Sequence, residues 1–117
     1  MTDHQLHSIV RFKFHEGQLE EFKRLSAVCM EIVRAKDPGT LQYDTFFNED
    51  ESECIVLERF RDLDALLEHG KNIGDELMAA IVATGECFGE LLGAVPAEVR
   101  ANLAGGPVQV FLPYSAL

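Results

Sequence analysis

The stretch from Pro38 to Gly70, PGTLQYDTFFNEDESECIVLERFRDLDALLEHG, constrains the fold more than any other part of the chain. Leu41, Tyr43, Thr45 and Phe47 alternate with Gln42, Asp44 and Phe46, the two-residue period of a strand. The run Cys54 to Phe60 is rich in β-branched and apolar residues and reads as a second strand. Between them Asn48-Glu49-Asp50-Glu51-Ser52 is too polar to bury, so the two strands form an antiparallel hairpin. Asp62 or Asp64 can then cap a helix whose Leu63, Leu66 and Leu67 share a face. His69-Gly70 is its expected end, because glycine suits a C-terminal cap.

Upstream, a strand is expected from Leu6 to Phe14. Leu6, Ser8, Val10, Phe12 and Phe14 share one face, and His7, Ile9, Arg11, Lys13 and His15 share the other. One face suits packing against helices; the other is mixed. A helix is expected from about Gln18 to Ala35, where Leu19, Phe22, Leu25, Cys29, Ile32 and Val33 recur every three or four residues. Asp37-Pro38-Gly39 stops it. Downstream, apolar residues from about Ile73 to Leu92 read as a second helical region with a kink or break near Thr84-Gly85. Pro96 suits the first turn of a short helix, Ala97 to Leu103. Gly105-Gly106-Pro107 then leads into a last strand, Val108 to Leu112.

The order β-α-β-β-α(α)-β is the split βαβ of ferredoxin-like folds: α+β, a four-stranded antiparallel sheet with helices on one face. A chain of 117 residues makes one domain, 1–117, with extra C-terminal helices at about 83–104 before the last strand. The opposite face of the sheet would carry Ile9, Phe46 or Phe47, Ile55 and Leu57. So large an apolar patch marks an interaction surface. A homodimer with two sheets face to face, enclosing a cavity, covers it.

Composition narrows the function. A net charge of −10 argues against nucleic acid or an anionic membrane as partner, since phosphate binding needs clustered Lys and Arg. Cys29, Cys54 and Cys87 show no CxxC spacing, so neither a disulfide framework nor a zinc site is indicated. They read as small core residues in a reducing compartment. The N-terminal MTDHQLHSIVRFKF has neither the basic start nor the apolar run of a signal peptide, and a cytoplasmic location is expected. His4 and His7 have a metal-like spacing, but nothing nearby completes a ligand set, and no metal is expected.

The order of "PGTLQYDTF", hairpin, "IVLERFRDLDALLEH" and final strand resembles the antibiotic biosynthesis monooxygenase family, whose members are dimeric α+β barrels. Pro38, Gly39, Tyr43, Leu57, Glu58, Arg59, Phe60, Asp64, Leu67 and His69 stand in the family pattern. The likeness covers roughly Ser8 to Ile73. It implies oxygenation of a phenolic, quinol or polycyclic aromatic compound by O₂ without flavin, haem or metal. The chemistry is reasonable, because an ionised phenol or hydroquinone is electron-rich enough to pass an electron to O₂. The protein must bind the ring, help remove its proton and stabilise the anion. His69 is the candidate catalytic base, as related proteins carry a histidine near the pocket after the LERF-like segment, and imidazole suits the proton step. Tyr43, Phe47, Leu57, His15 and Arg59 are the candidate substrate-binding residues. The chain has no Trp, which separates it from the haem-degrading relatives.

Alternatives of other classes are a dimeric barrel that carries or senses a small apolar ligand, and a stress-related or housekeeping dimer without a working cavity. An enzyme requires a histidine and further polar groups converging on a cavity. A carrier needs only an apolar one. In the third case side chains fill the space. Glu58 shares its face with Cys54, Val56 and Phe60, which favours a paired structural carboxylate over a general base.

Overall fold

The structure, a computed structural model, describes residues 4–117. The elements run β1 (Leu6–Phe14), α1 (Leu19–Lys36), β2 (Thr40–Phe47), β3 (Glu53–Phe60), α2 (Leu63–Ile73), α3 (Asp75–Val82), β4 (Gly85–Leu92), α4 (Ala97–Leu103) and β5 (Val108–Phe111). One sheet holds the strands in the order β2-β3-β1-β4-β5. The first four pair antiparallel, and β5 joins β4 in parallel. This is the α+β, ferredoxin-like arrangement with helices on one face and a fifth strand at the edge.

The alternation in β1 decides which face is buried. Leu6 and Phe12 are inside, and Phe12 and Phe14 pack at a tilt against Phe22 of α1 with ring centroids 5.1 and 4.8 Å away. Along α1 the stripe Phe22, Leu25, Cys29 and Val33 is buried against the sheet. Glu20 and Glu21 in its first turn and Arg34 and Lys36 in its last oppose the helix dipole. Asp62, rather than Asp64, caps α2: its carboxylate accepts from the Ala65 N–H at 2.8 Å.

Three expectations are corrected. α2 does not end at His69-Gly70 but continues to Ile73, and Gly74, at φ 81°, supplies the turn into α3. The expected helix over Ile73 to Leu92 is only half helix, for Gly85–Leu92 is the strand β4. Its sequence, GECFGELL, alternates after all, with Gly85, Cys87, Gly89 and Leu91 on the helix side. A Cβ on Gly89 would lie 2.7 Å from the Ile9 carbonyl oxygen of β1. The glycines that look like helix breakers are therefore what lets two strands approach closely. The segment expected as extra helices at 83–104 thus holds β4 and the short helix α4. The sheet has five strands instead of four because Gly85–Leu92 is itself a strand, and the expected last strand, β5, pairs with it in parallel and not antiparallel.

The open face of the sheet carries Ile9, Ile55, Leu57, Phe46 and Phe88, the last two 54% and 44% exposed. Arg11 and Glu90 cross this face as an ion pair at 3.4 Å. Phe46 is the outward residue of its pair, since Phe47 turns in toward Phe14 and Phe22. No helix among the described residues is long and apolar enough to cross a membrane.

Candidate active site

A cavity of about 220 Å³ lies between the sheet and helices α1, α2 and α3. Its walls come from one subunit, on the opposite side of the sheet from the open face, so it is not the space between two facing sheets that the sequence reading proposed. The local reason is side-chain size. Ser26 and Cys29 of α1, Gly70 of α2 and Cys87 of β4 are small where they line the cavity. Met78 and Val82 of α3 line the cavity and are 41% and 40% exposed, so its mouth opens beside α3.

His69 hangs from α2 into this cavity with 5% of its surface exposed. Its Nδ1 lies 2.6 Å from Asp37 Oδ2. A carboxylate only accepts, so Nδ1 carries the proton, and in the neutral ring it is Nε2 that presents its lone pair. Asp37 is held from the other side by the Asn72 side-chain amide, which donates to Oδ1 and to the Lys36 carbonyl. Asp37 is the C-cap of α1, and Asn72 lies in α2 beyond His69. Pro38-Gly39 then turns the chain so closely past α2 that a Cβ on Gly39 would sit 2.5 Å from the Ala65 Cβ. The glycine thereby lets α2 press Asp37 against His69.

Nε2 faces Glu58 of β3, whose Oε2 is 3.8 Å away and whose side chain is only 12% exposed. Burial pushes the Glu58 carboxyl above the usual carboxylate range, while His69 and the Ser8 hydroxyl work in the opposite direction. Tyr43 of β2 also lines the cavity, its ring centroid 5.6 Å from that of His69. Burial pushes its hydroxyl up, with Cys29 and Glu58 adding to the effect. The cavity thiols are not activated nucleophiles: burial raises both Cys29 and Cys87.

Of the residues singled out in the sequence, the structure brings His69 and Tyr43 together. Phe47 lies under α1 and lines a separate open groove of about 530 Å³ between α1 and β2, which shares Tyr43, Ser26 and Phe22 with the cavity. The charged groups of that groove, Lys23 and Asp44, contact solvent. Leu57 and Arg59 point to the open face, opposite Glu58, as the period of two requires. His15 sits exposed past the end of β1, its backbone N–H donating to the Thr84 carbonyl. These three are remote from the cavity. Asp37, which looked like a helix terminator, is the residue that sequence reasoning passed over. Glu58 had a signal, as the one carboxyl on an otherwise apolar strand face. Among the described residues no cluster of three or more His, Cys, Asp or Glu side chains is placed to hold a metal.

The sequence pattern of the antibiotic biosynthesis monooxygenase family matches residues 6–82. The chain belongs to this family. No curated protein matches it in sequence. Among solved structures it is similar to MupZ from Pseudomonas fluorescens, 28% identical over 97% of this chain and 93% of that one, with a TM-score of 0.80. It also resembles SnoaB, a cofactor-independent oxygenase from Streptomyces nogalater, at 16% identity, covering 80% and 96% with a TM-score of 0.63. Rv0793 from Mycobacterium tuberculosis is 21% identical over 79% and 96%, with a TM-score of 0.65. At such identities the last two share the fold alone. The match to MupZ spans β4, α4 and β5 as well, so the C-terminal third belongs to a shared architecture.

Proposed function

We propose that this chain is a cofactor-independent monooxygenase that oxidises a small phenolic or quinol compound with O₂, using His69 as the base. The observation that carries this reading is the direction of the imidazole: Asp37 holds Nδ1, so Nε2 meets the cavity as a proton acceptor. A carrier of apolar ligands has no use for a buried Asp-His pair, which costs desolvation and invites water. At about 220 Å³ the cavity is smaller than the roughly 300–1,000 Å³ of sites for drug-sized ligands, which favours a small ring system.

In the proposed reaction Nε2 takes the phenol proton and the imidazolium is stabilised by Asp37. The phenolate passes one electron to O₂, giving a phenoxyl radical and superoxide. These recombine at the para carbon to a peroxide anion, which the imidazolium protonates. Loss of the proton from that carbon with cleavage of the O–O bond leaves a quinone carbonyl and releases water. A phenol and O₂ become a quinone and water, with both electron pairs accounted for. Tyr43 contacts the ring; His15, Leu57 and Arg59 take no part in the chemistry.

The open face supports a second element of the proposal, a homodimer formed through Ile9, Phe46, Ile55, Leu57 and Phe88. Oxygen uptake with a panel of phenols and naphthols whose para carbon bears hydrogen tests the activity. Incorporation of a single atom from ¹⁸O₂ into product is the expected result, and consumption of O₂ without incorporation contradicts it.

A further inference from the structure

Across the buried face of the sheet runs a polar row. Ser8 of β1 pairs with Glu58 of β3, and Glu58 pairs with Tyr43 of β2. The neighbouring inward positions, Val10, Val56 and Phe60, are apolar. A polar row under helices needs hydrogen-bond partners, yet no lysine or arginine among the described residues lines the cavity that Glu58 and Tyr43 share.

We propose that Glu58 and Tyr43 are a neutral two-donor cradle for the oxygen of a phenolate or enolate, facing the His69 base. Glu58 has the Ser8 hydroxyl as a hydrogen-bond partner and the His69 imidazole at 3.8 Å, while Val10, Phe12, Val56 and Ile73 make most of the cavity around it apolar. A carboxyl in such a place keeps its proton and donates a hydrogen bond, as a buried tyrosine does. The charge count agrees. Once His69 has taken the ligand's proton, the anion faces an imidazolium and two neutral donors. An ionised Glu58 would set a second negative charge beside it in a poorly screened site. The ligand class is then a small planar ring bearing an ionisable hydroxyl, its charge delocalised into the ring. The idea rests on the oxygenase reading for its biological sense, but binding the anion needs no O₂.

The test is an anaerobic titration with 4-nitrophenol, at a pH where it is mostly neutral in solution, watching the visible absorption of its phenolate. Wild-type protein is expected to bind it and to develop the phenolate band. Tyr43→Phe and Glu58→Leu each lose about tenfold in affinity or more, the worth of a hydrogen bond to a charged group. Glu58→Gln, whose amide N–H still donates, recovers part of the loss. A wild-type complex that keeps the neutral-phenol spectrum overturns the proposal. So does the absence of binding, or equal phenolate binding by folded Glu58→Leu and Tyr43→Phe. Phenolate binding without any oxygen uptake would sink the oxygenase reading and leave the cradle standing. Oxygen uptake with no phenolate band would do the reverse.

Discussion

His69 Nδ1 and Asp37 Oδ2, 32 residues apart in the chain, meet at 2.6 Å with both side chains buried. The contact joins the end of α1 to the middle of α2, and the tightness of the Pro38-Gly39 turn against Ala65 makes it possible. It is at once a tertiary link and the feature that orients the candidate base.

Asp37→Asn should separate those two roles. Asn72 already donates to Oδ1 of residue 37, so an asparagine there turns its own NH₂ toward His69. Nδ1 must then accept, and the proton moves to Nε2, where it blocks the base. A drop in kcat of about 100-fold or more is expected, with KM little changed. Steady-state kinetics checks this. A variant that loses KM and fold together, with no change in the pH profile of the remainder, would assign Asp37 a structural role only.

Gly39→Ala should destabilise the protein by about 1–3 kcal/mol through overpacking, because the new methyl collides with Ala65. Ala65→Gly removes the obstacle at the cost of roughly 1 kcal/mol of helix propensity. The double variant should therefore recover stability relative to the sum of the single changes. Urea unfolding of the four proteins of the cycle measures the coupling; strict additivity would mean that the two residues do not meet.

Glu58→Gln should change the pH dependence of stability. The folded-state pKa of Glu58 lies above the unfolded value, chiefly through burial. Below the unfolded carboxylate range both states hold the proton and burial carries no ionic penalty. As pH rises toward the folded value the unfolded state loses its proton first, and stability falls. The glutamine variant escapes that fall. It should match wild type at acid pH and exceed it at neutral pH, as thermal unfolding across pH will report. Wild-type stability that rises over this window relative to the variant would give the shift the opposite sign.

Phe46→Lys with Leu57→Lys should leave a folded subunit but abolish association, since both side chains stand on the open face of the sheet. Sedimentation equilibrium of wild type is expected to give a dimer and of the variant a monomer. A monomeric wild type would remove the dimer from the proposal.

Much of the fold was legible because period and capping are local. β1, α1, the hairpin and α4 follow from alternation, from the three-to-four spacing and from Asp37-Pro38-Gly39. β4 was not, because Gly85 and Gly89 stand where an inward apolar residue would have revealed the alternation. Their reason is the approach of β1, a non-local fact. The site was half legible. His69 came from the family resemblance and Tyr43 from its strand position, but Asp37 acquires its meaning only when α1 and α2 pack. Leu57 and Arg59 stand on the sheet's open side, away from the cavity, a placement that depends on which face the helices cover. The parity of β3 puts Glu58, not its neighbours, beside His69.

The most direct measurement is oxygen uptake with phenols and naphthols whose para carbon bears hydrogen, comparing wild type with His69→Ala. Wild type should consume O₂ in step with quinone formation, and the variant should be slower by about 100-fold or more. Equal rates in the two proteins would remove His69 from the chemistry, and no uptake with any compound of the class would contradict the assignment of oxygenase activity itself.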